Sequence, residues 1–162
     1  MAAPVLTILF PRFNYPVDFK KRFRNKRIFG DNKTFRGLIG GTLVGLSVFL
    51  LQKFLFSSNI FFQNISFFDY KNISWILGVL FGFGALIGDI VKSFFKRQLN
   101  IASGKSWFPF DQMDWIIGAL LFTYPFVKTS LNVIILSLVL GILLHLVIKF
   151  SGFLIKVNKK PI

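Results

Sequence analysis

The chain has 162 residues, 54% of them hydrophobic, with no cysteine and a net charge of +14 at pH 7. Without cysteine it has no disulfide framework, no thiolate zinc site and no cysteine nucleophile. The mean hydropathy of +0.64 is too high for an ordinary soluble domain. We therefore interpret residues 1–162 as a single integral membrane domain.

The chain begins with a short apolar stretch and continues with a basic one. Residues 1–10 are apolar, but they lack the basic region and the cleavage site of a signal peptide. They are also too few to cross the bilayer, because a membrane helix takes roughly 20 residues. Residues 12–36 contain nine Lys or Arg, and we predict that they form a basic cytoplasmic segment.

Four apolar stretches follow and predict an all-α, polytopic bundle of membrane helices. They are residues 37–56, 74–95, 115–127 and 131–155. The third is short for a span, so we expect it to extend into its flanks. Glycines four residues apart, as in Gly37, Gly41 and Gly45, predict that neighbouring helices approach closely.

The charged loops of this bundle are distributed unequally. One side has residues 12–36, the loop 97–111 and the C-terminal tail, whereas the other has only Lys71 and Lys128 near its loops. Cytoplasmic loops of membrane proteins concentrate Lys and Arg. We therefore expect a multi-pass protein of the cell membrane whose active site, including the loop 97–111, faces the cytoplasm.

An aspartate lies inside the second apolar stretch, where a charge is costly and marks a candidate functional site. At about 100° per residue, five polar residues there fall within an arc of roughly 140° on one helix face. They are Asp89, Lys92, Ser93, Lys96 and Arg97. The alternative is a plain ion pair between Asp89 and Lys92 or Lys96.

Two further aspartates precede the third apolar stretch. Asp111 and Asp114 are three residues apart, so both fit on one face of a helix start. One interpretation is an N-cap with a second acid near the helix dipole. The other is a metal site: together with Asp89 they offer the hard oxygen ligands that Mg²⁺ prefers.

A third polar cluster, Asp31, Lys33 and Arg36, lies just before the first span. Backbone N–H groups at a helix start favour anions, and the two cations add charge for a phosphate. The alternative is a basic anchor that meets acidic lipids. The only histidine, His145, is interpreted as a hydrogen-bonding residue of the bundle rather than a catalyst.

Three motifs together resemble the CDP-archaeol synthase family, which is similar to bacterial phosphatidate cytidylyltransferases. They are GDNKTFRG at residues 30–37, GDIVKSFFKRQLNI at 88–101 and PFDQMDWIIGA at 109–119. Residues 3–6 and 16–19 also resemble the family, so the resemblance covers nearly the whole chain. The family usually carries an apolar helix before residues 3–6, and we therefore expect about four membrane helices in this chain.

The resemblance implies a CTP-dependent reaction of membrane phospholipid biosynthesis with Mg²⁺ as cofactor. An archaeal ether-lipid phosphate, 2,3-bis-O-geranylgeranylglycerol 1-phosphate, attacks the α-phosphorus of CTP, and CDP-archaeol and pyrophosphate are formed. It implies catalytic roles for four residues, the three aspartates among them as metal ligands: Asp89, Lys92, Asp111 and Asp114. It implies phosphate or nucleotide binding by Lys92 and five others: Asp31, Lys33, Arg36, Lys96 and Arg97.

Other functions remain open at this point. The lipid substrate could be phosphatidate, or the enzyme could be a lipid kinase that transfers the γ-phosphate of CTP. A small membrane channel or transporter subunit would place its charges along a path across the bilayer, whereas here they gather on one face. Residues 20–27 lack a recognisable nucleic-acid-binding fold, so no nucleic-acid partner is expected. The expected partners are CTP, the lipid phosphate and membrane lipids, and the sequence is compatible with a homodimer.

Overall fold

The computed structural model describes residues 14–66, 68–102 and 105–154. Within them the elements are β1 (Arg22–Phe23), β2 (Lys26–Arg27), α1 (Phe35–Ser58), α2 (Ile60–Ile65), a 3₁₀ turn (Tyr70–Asn72), α3 (Ile76–Gln98), α4 (Phe110–Thr123) and α5 (Leu131–Leu154). The apolar residues 1–10, the family-like residues 3–6 and the basic tail lie outside the described residues.

The structure confirms the predicted helical membrane class. Among the described residues, three helices are long and apolar enough to cross a membrane: α1, α3 and, over Leu131–Gly152, α5. α4 has 14 residues, which makes it about 21 Å long at 1.5 Å per residue, short of a hydrocarbon core of about 30 Å. Large apolar side chains are exposed on these helices, as Leu121 and Leu131 are, which suits a lipid environment.

Helices α3 and α4 both extend beyond their apolar stretches into the polar motifs, as was expected for the third stretch. α3 continues through Lys96 and Arg97 to Gln98, and α4 begins at Phe110 instead of residue 115. Asp111 and Asp114 therefore lie in the first turns of a helix, because two acids near a positive dipole end do not interrupt helical structure. α4 ends at Thr123, two residues before Pro125, whose ring cannot continue a helix.

Glycines bring the helices together, as their spacing predicts. α1 packs on α3, which packs most extensively on α4. A Cβ added to Gly45 would lie 2.6 Å from the Cα of Gly82, and one added to Gly84 would lie 2.7 Å from the carbonyl oxygen of Gly118. A Cβ on Gly88 would collide with the carbonyl of Asp114. α3 and α4 therefore touch backbone to backbone next to Asp89 of α3 and at Asp114 of α4.

A small polar unit lies against the C-terminal end of α3. β1 and β2 form an antiparallel hairpin in which Arg22 faces Arg27. The backbone N–H of Val17 donates to the carbonyl of Lys33 at 2.8 Å, and the Phe35 N–H donates to Tyr15 at 3.0 Å. These bonds hold the hairpin next to the start of α1, and thus at the same end of the bundle as the motifs of α3 and α4.

Candidate functional site

Three carboxylates converge on one ammonium group. Lys92 Nζ lies 2.9 Å from Oδ1 of Asp89, 3.1 Å from Oδ1 of Asp111 and 2.7 Å from Oδ2 of Asp114. Asp89 and Lys92 come from α3, and the other two come from the start of α4. The close glycine contact of these helices explains why side chains from both reach the same point.

Two further lysines complete this cluster. Lys33 donates from Nζ to Oδ2 of Asp89, and Lys96 donates to both oxygens of Asp111 at 3.0 Å. Three carboxylates thus alternate with three ammonium groups. We call these six residues the ionic cluster: Lys33, Asp89, Lys92, Lys96, Asp111 and Asp114.

The sequence left ion pairing, helix capping and metal binding open for these aspartates. The predicted ion pair of Asp89 with Lys92 is present, whereas Lys96 pairs with Asp111 instead. Asp111 accepts from the backbone N–H of Trp107 at 2.7 Å, and Pro109 takes the N-cap position of α4 without a side-chain bond. Asp111 therefore fixes the preceding loop rather than capping the helix.

The predicted metal site can be compared with this geometry. In the part of the chain that the structure describes, no three His, Cys, Asp or Glu side chains are arranged to hold a metal ion. The carboxylate oxygens nevertheless converge on a cation, the ammonium of Lys92. Their chemistry suits a hard cation such as Mg²⁺, and magnesium binding stays a prediction.

Two cavities meet at the ionic cluster. One, of about 490 Å³, is strongly cationic and is lined by Lys33, Lys92, Lys96 and seven neighbours that include Arg27, Asp31 and Arg97. The other, of about 480 Å³, contains the three aspartates together with His145 of α5. We call the first the basic cavity and the second, after its three aspartates, the acidic cavity. Lys92 and Lys96 line both, so an anion in the basic cavity would lie beside the three carboxylates.

The structure thus brings together most of the predicted site residues. Arg97 lines the basic cavity, and its guanidinium donates to the carbonyl of Ile101 at 2.7 Å. Asp31 lines the same cavity but is exposed and pairs with Arg27 at 2.9 Å. Arg36 lines neither cavity, so its predicted place in the nucleotide pocket has no support in this geometry.

Sequence reasoning missed Asp18, which organises the wall of the basic cavity. Its buried carboxylate accepts from the N–H groups of Phe29 and Gly30 and pairs with Arg27 at 3.1 Å. Burial opposes ionisation, but Arg27 and these N–H groups outweigh it and hold the pKa of Asp18 below its ordinary value. A lone acid within a run of cations was the signal that could have found it.

Apolar grooves lead from the site into the bundle. One, of about 570 Å³, runs between α1, α3 and α4 from Leu86 and Trp115, which also line the acidic cavity, to Tyr70 at the far end. Another, of about 480 Å³, lies between α3 and α4 and includes Lys92 and Asp114. A polar head in the cluster and an apolar tail in a groove could therefore belong to one molecule.

Charged cavities at one end of an apolar groove, within a helical membrane bundle, fit an integral membrane protein that binds a molecule with a polar head and an apolar tail. A family model described as CDP-archaeol synthase (CarS-like) matches residues 4–161. A CDP-archaeol synthase of Methanospirillum hungatei is 34% identical over 90% of this chain and 89% of its own length. One of Thermococcus kodakarensis is 37% identical over 80% of this chain and 72% of its own.

A solved structure agrees with these relatives. An intramembrane enzyme of archaeal membrane lipid biosynthesis matches with a TM-score of 0.68 and 27% identity, covering 90% of both chains. The chain belongs to the CDP-archaeol synthase family. The resemblance of the three motifs is thereby confirmed, and the protein is a membrane nucleotidyltransferase, a cytidylyltransferase of lipid biosynthesis.

Proposed function

We propose that the protein transfers the cytidylyl group of CTP to 2,3-bis-O-geranylgeranylglycerol 1-phosphate and releases CDP-archaeol and pyrophosphate. One observation carries the proposal: a cationic cavity, a cluster of three carboxylates and an apolar groove meet at one end of the bundle. The names of the relatives support the same reaction, since they are CDP-archaeol synthases.

The basic cavity is suited to a triphosphate. Lys33, Lys96 and Arg97 line it together with Arg27, and its volume of about 490 Å³ lies in the range of small-molecule sites. Two polyanions must meet in this reaction, so their repulsion has to be offset by cations. These side chains would hold CTP with its α-phosphorus towards the ionic cluster.

The transfer needs little proton chemistry. A phosphate oxygen of the lipid forms a bond to the α-phosphorus of CTP, and the bond from that phosphorus to the bridging oxygen of the β-phosphate breaks. The nucleophile is already an anion at neutral pH, so no strong general base is required. Positioning and charge stabilisation are then the main tasks of the protein.

Mg²⁺ is the proposed cofactor, and Asp89, Asp111 and Asp114 would hold it. When bound, such an ion screens phosphate charge and makes the phosphorus more electrophilic. Lys92 lines both cavities, so its ammonium is placed to contact phosphate oxygens once the carboxylates hold another cation.

The apolar groove is suited to the lipid tail. It follows α3 from Leu86 to Leu77, about 14 Å at the helical rise of 1.5 Å per residue, and continues to Ile73 before the helix begins. That length suits a long hydrocarbon chain whose phosphate remains at the ionic cluster. A diacyl phosphate could use the same groove, so phosphatidate is the competing substrate.

The site would face the cytoplasm, where CTP is made. The hairpin, the end of α3 and Lys105 place their cations at the site end of the bundle, and Lys71 and Lys128 lie at the other. This asymmetry follows the positive-inside rule.

A product assay tests the proposal. Purified protein receives Mg²⁺, CTP labelled in the α- or γ-phosphate, and either the geranylgeranyl ether phosphate or phosphatidate. We expect α-label in a CDP-lipid, γ-label in pyrophosphate, and preference for the ether lipid. Lipid that carries γ-label, with CDP as the second product, would instead identify a lipid kinase.

The matched variants are Asp114→Asn and Asp69→Asn. Asp114 belongs to the ionic cluster, whereas Asp69 caps a turn at the far end of the bundle through the N–H of Lys71. Losing one charged group that stabilises the transition state costs roughly 100- to 1000-fold in turnover, and we expect that loss for Asp114→Asn alone. Equal activity of the two variants would contradict the assignment of the site.

A further inference from the structure

The hairpin that precedes α1 divides its cations between two directions. Lys26 and Arg27 point into the protein: Lys26 donates to the carbonyl of Gln98 at 2.6 Å, and Arg27 pairs with Asp18 at 3.1 Å. Four other cations of the same unit are exposed. They are Lys20, Lys21, Arg22 and Arg24.

None of these four exposed cations forms an ion pair within the part of the chain that the structure describes. Arg24 lies over the ring of Phe23 at 5.5 Å. The cations line neither the basic nor the acidic cavity. They therefore form a surface that the proposed chemistry does not use, and we call these four residues the outer basic surface.

The hairpin is held firmly in this arrangement. The buried Asp18 accepts backbone N–H groups from Lys20 at one end of the turn and Gly30 at the other, at 3.0 and 3.2 Å. Phe19, Lys20, Arg24 and Asn25 have positive φ angles between 50° and 61°. Such angles are uncommon for residues other than glycine and persist only where the surroundings fix them. The display of the cations is thus built into the fold.

The position of the hairpin relative to the membrane helices indicates its partner. Phe23 packs on Phe94, four residues before the end of the membrane helix α3, with ring centroids 6.1 Å apart. Phe19 packs on Phe35, the first residue of the membrane helix α1, at 5.5 Å. The cations therefore lie at the level where these helices leave the hydrocarbon, which is the level of the lipid headgroups.

Exposed aromatic side chains accompany the cations. Tyr15, Phe19 and Phe23 are 50%, 57% and 46% exposed. Aromatic rings are favoured at the interface between hydrocarbon and water, and clusters of four to eight cations beside a membrane helix attract acidic lipids. A soluble nucleotide offers phosphate but no apolar layer for the rings, so this combination favours a membrane surface.

We propose that the outer basic surface binds the acidic headgroups of the surrounding bilayer, with Phe19 and Phe23 inserted at the interface. This binding is separate from CTP and lipid-substrate binding. Because Asp18 and Arg27 connect the hairpin to the basic cavity, docking on an acidic membrane would steady one wall of that cavity.

Hydrogen exchange of the hairpin amides tests this proposal without substrate. The full-length protein is reconstituted in vesicles of phosphatidylcholine with or without phosphatidylglycerol. We expect slower exchange over residues 19–25 in the acidic vesicles, and loss of that difference in high salt, which screens surface charge. Equal exchange in both vesicles would overturn the proposal.

Two matched double variants identify the residues. Lys20→Gln with Lys21→Gln should reduce the protection given by phosphatidylglycerol about fivefold per lysine, which corresponds to about 1 kcal/mol for each cation near an acidic surface. Lys71→Gln with Lys128→Gln removes two exposed lysines at the far end and should change nothing. Equal loss in both variants would show that net charge, and not this surface, is responsible.

The last experiment repeats the hydrogen-exchange measurement with soluble anions in place of acidic lipid. If CTP or pyrophosphate protected residues 19–25 in neutral vesicles as well as phosphatidylglycerol does, the outer basic surface would be a nucleotide-binding surface and the proposal would be wrong. Unchanged exchange in α3 and α4 verifies that each variant is folded.

Discussion

The two ends of the helical bundle use ionisable side chains in different ways. At the far end, Asp69 is exposed and caps one turn, and Lys53 donates to one carbonyl, that of Ile73, at 2.8 Å. At the site end, Lys92 alone contacts three carboxylates. At the far end, each of these charged side chains therefore only satisfies backbone groups at the end of a turn or loop.

The comparison separates a structural charge from a functional one. A cap needs one partner and stays near water, where it contributes about 1 kcal/mol. A group shared by several partners in a half-buried place costs desolvation that simpler side chains would avoid. Folding stability alone therefore does not explain the ionic cluster, whereas binding of phosphate groups and a metal ion would.

The largest expected effect comes from Lys92→Met. The change leaves Asp89, Asp111 and Asp114 close together without their common cation, and removing one partner of a buried ion pair costs about 3–5 kcal/mol. We expect a large drop in the thermal unfolding midpoint in detergent. Lys71→Met at the far end, where the side chain is exposed, is the control and should leave the midpoint nearly unchanged.

Divalent cations sharpen this prediction. If the three carboxylates can hold Mg²⁺, the ion should stabilise Lys92→Met more than the parent protein, because it no longer competes with the ammonium. Unfolding midpoints over a series of Mg²⁺ concentrations measure the effect. Equal stabilisation of both proteins would count against a metal at this cluster.

The second effect concerns the contact that aligns the cluster. Gly88→Ala places a methyl group against the carbonyl of Asp114 and should push α3 and α4 apart, at a cost of about 1–3 kcal/mol. Activity should fall further than stability, because the carboxylates of the two helices would no longer converge. Turnover and unfolding midpoints are measured on the same preparation.

Gly37→Ala is the matched control for this packing test. Its added Cβ would meet only Thr34 Oγ1, at 3.4 Å, an ordinary contact. Alanine also favours a helix over glycine by roughly 0.5–1 kcal/mol. The control should therefore be neutral or more stable, and a loss of activity equal to that of Gly88→Ala would contradict the packing argument.

Much of this arrangement could be predicted from the sequence, because helix periodicity and hydropathy are local properties. Asp89, Lys92 and Lys96 share a face by spacing alone, and Asp111 and Asp114 do so too. That Lys92 would pair with all three aspartates depends on how closely α3 and α4 approach, which the sequence indicates only as a glycine spacing. The extension of α4 into its polar flank was expected, but its first residue, Phe110, could not be fixed from hydropathy because Asp111 and Asp114 interrupt the apolar pattern without ending the helix.

The hairpin could not be predicted because its order comes from one buried carboxylate. Residues 12–36 have the composition of a flexible basic segment, yet Asp18 collects Arg27 and three backbone N–H groups into a fixed turn. Positive φ angles at Phe19 and Lys20 run against local preference. Tertiary hydrogen bonds here override what each residue favours alone.

The smallest expected effect is a pH-dependent one at Asp18. Burial raises the pKa of this carboxyl, but Arg27 and the backbone N–H groups together outweigh burial and hold the pKa below the ordinary value of 3.8 in the folded protein. A group with a lowered folded pKa adds stability above the unfolded pKa and loses it as the pH falls through the folded pKa. Asp18→Asn should therefore destabilise the protein by about 1–2 kcal/mol at neutral pH. The difference between the two proteins should shrink once the pH falls below about 4.

Unfolding midpoints of both proteins across this pH range measure the difference, with Asp69→Asn as the control at the far end. A difference that stays constant into acid would show that the shape of Asp18, rather than its charge, orders the hairpin.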